Sequence, residues 1–119
     1  MSRVIAGVLF LVAVFMLLGT ACGGGGKGRQ VAIAQTDEGC TPQTVQAARG
    51  EKLTFKIQNQ GKKDHEFEGV NGAKVPEVEV PAGRTRSVDY TAPKQNGTQQ
   101  IKCYIPNGST TMISVTVGG

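Results

Sequence analysis

From residue 31 onward, apolar side chains fall at every second position in short runs, and Gly, Pro and Asn separate one run from the next. Period two over four to eight residues directs alternate side chains to one face of a strand, and no later stretch carries the 3.6-residue period of a helix. The C-terminal part shows the pattern most clearly. Ile101, Cys103 and Ile105 share one parity, so the Cys103 thiol points the same way as two apolar side chains. Pro106-Asn107-Gly108 breaks the run, because proline lacks a ladder donor and Asn-Gly tolerates positive φ. Ile113, Val115 and Val117 then resume the alternation.

Six earlier stretches behave alike: Val31 to Ala34, Thr44 to Ala47, Leu53 to Gln58, His65 to Glu68, Lys74 to Val80 and Thr85 to Tyr90. Together with the two around Cys103 they predict eight short strands. Turn signals every ten or so residues suit an all-β chain folded as a Greek-key β-sandwich over residues 31–119. The chain has 119 residues, which supports one such domain. Its aromatics are few and Trp is absent, so the core is thin and would gain from a covalent or metal staple.

The N-terminal part reads differently. Met1-Ser2-Arg3 precedes an apolar run from Val4 to Leu18 and then Gly19-Thr20-Ala21-Cys22. A basic start, a short apolar core and small residues describe a secretory leader, here residues 1–21, rather than structure. The small residues before Cys22 resemble the lipobox of bacterial lipoproteins, although Gly19 stands where that motif prefers Leu. The resemblance implies lipid on Cys22, a membrane as partner, and a place on the extracytoplasmic face of the cell envelope. Residues 22–30, rich in glycine, read as a flexible tether. The formal charge of +4 comes with no basic stripe interleaved with aromatics, which argues against nucleic acid as a partner. No HExxH, GxSxG or paired Cys-x-x-Cys motif is present, and one histidine leaves no plausible triad, so the chain reads as non-enzymatic.

Three constellations could carry chemistry. With Cys22 lipidated, Cys40 and Cys103 form an even pair in an oxidising compartment. They make either a structural disulfide or a pair of metal ligands, and both readings need them on neighbouring strands. His65, the one histidine, follows a polar turn. With Cys103 and Met112 it could contribute to a site of soft ligands for Cu(I). Glu66 with Glu68, and Glu77 with Glu79, share a strand face two by two. Such a cluster either stays hydrated among Lys62, Lys63, Arg84 and Arg86 or holds a hard cation such as Fe(III).

A cysteine ending a penultimate strand, with Met112 beyond a Pro/Gly loop, resembles the copper loop of cupredoxins. Blue-copper centres use two His, one Cys and a weak axial Met; here Asn107 lies in the loop that would supply the second His. A wider resemblance covers about residues 31–117. Asp37 to Pro42, Ala48-Arg49-Gly50, Phe55 to Gly61, Glu66-Phe67-Glu68, Glu77-Val78-Glu79 with Pro81-Ala82-Gly83, and Lys102-Cys103 are similar to EfeO-type cupredoxin-like domains. That resemblance implies a cupredoxin sandwich in periplasmic or surface iron uptake that binds copper or ferric iron, with Cys40, Glu66, Glu68 and Cys103 as ligands. The family's peptidase-like partner domain is not found in this sequence. The leading expectation is therefore a copper- or iron-binding module at the envelope, working with an iron or copper uptake system. Its ligands would be drawn from Cys40, His65, Glu66, Glu68, Cys103 and Met112. The alternative is a structural or interaction domain with a Cys40–Cys103 disulfide and no metal.

Overall fold

In the computed structural model, residues 28–118 are described. The leader, Cys22 and most of the tether lie outside them. Nine strands are present among the described residues: β1 (Arg29–Thr36), β2 (Gly39–Thr41), β3 (Thr44–Ala47), β4 (Lys52–Asn59), β5 (His65–Val70), β6 (Val78–Val80), β7 (Thr85–Thr91), β8 (Gly97–Tyr104) and β9 (Thr110–Val117). They form two mixed sheets, one in the order β2-β1-β4-β7 and the other β3-β9-β8-β5-β6. The parallel pairs are β1 with β4 and β3 with β9; the rest are antiparallel. The expected all-β sandwich is therefore present, with β2 as a strand that the alternation did not reveal.

The inner faces follow from parity. Val31 and Ile33 on β1, Leu53, Phe55 and Ile57 on β4, and Val88 and Tyr90 on β7 face Phe67, Ile101, Ile113 and Val115 of the other sheet. The Phe55 ring lies 5.5 Å from that of Phe67 and 5.8 Å from that of Tyr90, joining the two sheets across the middle of the core. Tilted aromatic pairs at this spacing add to the burial of the rings themselves.

Two boundaries differ from expectation for local reasons. β1 begins inside the expected tether, at Arg29. That side chain pairs with Glu51 at 2.8 Å and donates a 2.8 Å hydrogen bond to the Gln46 carbonyl, which ties the strand start to the domain. The expected strand from Lys74 to Val80 shrinks to Val78–Val80. Ahead of it the backbone folds back on β5: Ala73 N–H donates to Val70 and Gly69 N–H to the Val75 carbonyl. Pro76, with no N–H, cannot resume a ladder there. The Pro81-Ala82-Gly83 and Asn107-Gly108 turns form as read, with Gly83 at φ 75° and Asn107 at φ 60°.

Registers define two poles. Arg29 faces Leu53, and Lys52 faces Thr91, at the end where β1 enters. Gln35 faces Asn59, and His65 faces Val80, at the other. This second pole is held by Asn59, fully buried at the end of an apolar parity. Its amide donates to the Lys63 carbonyl at 2.8 Å and the Val80 carbonyl at 2.9 Å, and its oxygen accepts from Gly61 N–H at 2.9 Å. A buried amide so fully paired fixes the loop that delivers His65 to the core.

Candidate functional site

Three of the candidate residues, Cys40, His65 and Cys103, are buried at this second pole. β2 belongs to one sheet and β8 to the other, and their register brings Cys40 and Cys103 to the same interior. Cys40 faces Gln35 on β1; Cys103 faces Phe67 on β5 and Thr111 on β9. The two sulfurs are bonded at 2.03 Å, across 63 residues of sequence. The bond is an inter-sheet staple, and both residues are buried, 2% and 1% exposed. The peptide between Thr41 and Pro42, where the chain leaves β2 for the other sheet, is cis.

Gln35 completes the interior of the pole. Its parity continues Val31 and Ile33, so the amide points inward and is fully buried. Nε2 donates to Cys103 Sγ at 3.3 Å. Oε1 is buried and has no hydrogen-bond partner among the described residues. Reading the residues one at a time missed Gln35 and Asn59. The signal that finds them is a polar side chain at the position where an apolar parity would continue: Val31, Ile33, Gln35 on β1 and Phe55, Ile57, Asn59 on β4.

His65 is also buried here, but both ring nitrogens already meet backbone oxygens. Nδ1 lies 3.0 Å from the Lys63 carbonyl and Nε2 2.8 Å from that of Thr36. A metal-bound imidazole nitrogen presents its lone pair to the metal, so this ring is placed as a brace between two loops rather than as a ligand. Asp37, beside it, accepts backbone N–H bonds from Lys62 and Lys63. The Lys62 bond chiefly holds its carboxyl below the ordinary range, and the nearby charges of His65 and Lys63 act the same way.

The remaining candidates lie elsewhere. Glu66 and Glu68 alternate with the buried His65 and Phe67, so they occupy the outer face of their sheet. Glu66 faces Glu79 on one side and Tyr104 on the other, and Glu68 faces Lys102. Hydrogen bonding to the Glu66 carboxylate raises the Tyr104 phenol above its ordinary value, and the charges of Glu66, Glu68 and Glu77 add to this. Lys102 Nζ sits 3.9 Å from the centre of the Tyr104 ring. This outer face sets glutamates beside one another, beside Lys102 and beside the Tyr104 phenol, away from the cysteine pair. Met112 faces Lys102 on the same outer side and is 42% exposed. It follows the parity opposite to Ile113, which is buried.

The donors expected for metal are thus separated. Cys40 and Cys103 are brought together, as a disulfide; His65 is occupied by backbone; Glu66, Glu68 and Met112 face outward. Among the described residues no group of three His, Cys, Asp or Glu side chains is arranged to hold a metal ion. The set does not fit a copper centre of the blue type, since the only thiolate it could use is bonded to another sulfur and no second imidazole is present.

Comparison with known proteins agrees on the architecture. Among solved structures, the dithionite-reduced auracyanin of Roseiflexus castenholzii superposes with a TM-score of 0.64 at 16% identity, covering 79% of this chain and 100% of that one. Auracyanin B gives 0.62 at 15% identity, over 79% of this chain and 92% of that one. A copper binding protein in its apo form gives 0.57 at 12% identity, over 79% and 97%. No curated protein matches the chain in sequence. The family described as cupredoxin-like domain matches residues 7–115, nearly the whole chain. The match is to the family at large and does not single out an EfeO-type subfamily, and the apo protein above is a copper binding protein. The chain belongs to the cupredoxin-like domain family.

Proposed function

We propose that this chain is a lipid-anchored, extracytoplasmic, non-catalytic cupredoxin-like module that carries no metal while its Cys40–Cys103 bond is intact, and that works as a stapled binding domain at the envelope. One observation carries this reading: the cysteine that the fold would offer to copper is bonded instead to a partner from the opposite sheet. The leader-like start, the small residues before Cys22 and the use of a buried disulfide all suit export to an oxidising compartment. Iron loses its motive, because the carboxylates that would bind it lie on an outer face beside Lys102 and Tyr104.

A second reading keeps copper. The same bond, once reduced, leaves two soft thiolates side by side at the pole of a fold whose neighbours include copper proteins, and thiolates favour Cu(I). One experiment separates the two. A soluble Cys22→Ala protein is dialysed against Cu(II) in its oxidised form and against Cu(I) after reduction, and retained copper is measured. The first reading expects no copper on the oxidised protein, and stoichiometric copper there refutes it. One Cu(I) per chain, retained only after reduction, establishes the second. The mass of the mature protein tests the anchor, which predicts a lipid adduct on Cys22.

A further inference from the structure

We infer that the Cys40–Cys103 bond is a thiol–disulfide exchange site, opened by a dithiol reductant that attacks Cys40 and expels Cys103, with Gln35 stabilising the sulfur that leaves. The inference deepens the reading of a redox-stapled module and rests on it, but it requires no metal.

Two independent features distinguish the two sulfurs. The first is access. Both cysteines are buried in the closed fold, but a surface cavity of about 250 Å³ opens beside β2 with residue Cys40 in its wall, together with Thr36, Glu38, Gly39, Gln43 and Thr111. Cys103 does not line it; it sits near the end of β8, the central strand of its sheet, paired on both sides by β5 and β9. β2 is three residues long, pairs only with β1 and forms the edge of its sheet. Short edge strands open locally at low cost, and opening β2 uncovers Cys40 while β8 stays in place.

The second feature is the fate of charge. Exchange begins with attack of a thiolate on one sulfur, and the departing sulfur takes the electron pair of the broken bond. An attack at Cys40 leaves the negative charge on Cys103 Sγ, the atom to which Gln35 Nε2–H already points at 3.3 Å. A hydrogen bond strengthens when its acceptor becomes charged, so the amide favours this direction of cleavage. The reductant's second thiol then attacks its own sulfur in the mixed disulfide and releases Cys40 as a thiolate. In total the protein gains two electrons and, on protonation, two protons; the dithiol becomes a disulfide. The buried, unpartnered Gln35 Oε1 is at hand to accept from a thiol once one has formed. The oxidised form thus leaves one acceptor idle that the dithiol form can use.

The test uses the Cys22→Ala protein, so that the pair supplies the only sulfurs able to exchange. Reduction by dithiothreitol is followed by thiol release in native buffer, with the fold monitored by circular dichroism. Gln35→Met, which keeps the shape and removes both polar atoms, should slow reduction about tenfold, whereas Ile33→Val on the same strand leaves the rate unchanged. In single-cysteine proteins, Cys40 in Cys103→Ser should react with an aromatic disulfide at least about tenfold faster than Cys103 in Cys40→Ser. The inference is overturned if reduction requires denaturant, if reduction unfolds the protein, if Gln35→Met is reduced as fast as the parent, or if Cys103 is the more reactive thiol. None of these readouts involves copper, so their failure is distinct from a failure of the metal-free reading.

Discussion

Replacing both Cys40 and Cys103 by Ala should cost the domain about 5–7 kcal/mol. The magnitude has two parts. Joining residues separated by 63 positions removes chain entropy from the unfolded state worth about 4 kcal/mol. In the folded state, Gln35 Nε2 loses the sulfur that accepts its hydrogen bond, leaving both polar atoms of a fully buried amide unpaired, for a further ~1–3 kcal/mol. Stability of domains this size is typically about 5–15 kcal/mol, so the loss is a large share of the total and the melting point should fall by about 20 °C or more. Guanidinium unfolding followed by far-UV circular dichroism measures the loss. The slope of free energy against denaturant should also rise, because an unfolded chain without the cross-link exposes more surface. A loss below about 1 kcal/mol with an unchanged slope would refute the reasoning, since it would mean that the bond does not restrict the unfolded chain.

Two further outcomes are expected. His65→Ala should destabilise by about 2–4 kcal/mol, because the Lys63 and Thr36 carbonyls lose their buried partner; if His65 were a surface ligand without that bracing role, unfolding midpoints would not move. Acid should weaken the fold through Glu51 and Asp37, whose carboxyls are held below their ordinary range by hydrogen bonds from Arg29 and from the Lys62 backbone respectively. A lowered folded value means that the stabilisation is complete above the unfolded value and fades as pH falls through the folded one, so melting temperatures should decline progressively below about pH 5. In the Asp37→Asn/Glu51→Gln protein the decline should be shallower, and equal slopes would exclude these two groups as its source.

The fold was legible because alternation is a property of each strand by itself. Ile101 and Cys103 on β8, and Ile113, Val115 and Val117 on β9, lie in the core where their parity puts them. β2 was not legible, since three residues are too few to show a period; β1 and the disulfide give it its place. The site was legible in part. The sequence raised the Cys40–Cys103 pair, and period two puts Glu66 and Glu68 on one face, which is the outer one. What it could not decide was disulfide against ligand pair, since that depends on how two sheets meet. Nor does a lone histidine announce whether its nitrogens face a metal or a backbone carbonyl; that depends on the loops at Thr36 and Lys63, which Asn59 and Asp37 organise. Gln35 and Asn59 belong to a class that hydrophobic patterning passes over, polar groups standing in apolar positions.

The path of β1 has a consequence for orientation. It enters at the Arg29 end and runs eight residues to Thr36, roughly 25 Å at strand rise, where the sulfur pair lies. Whatever grips the chain ahead of residue 28 therefore takes hold at the base of a short mast, with the cystine at its top. Under the proposed anchoring, Lys52 and Thr91 lie at the end of the domain where the tether enters, and the cavity beside Cys40 lies at the opposite end.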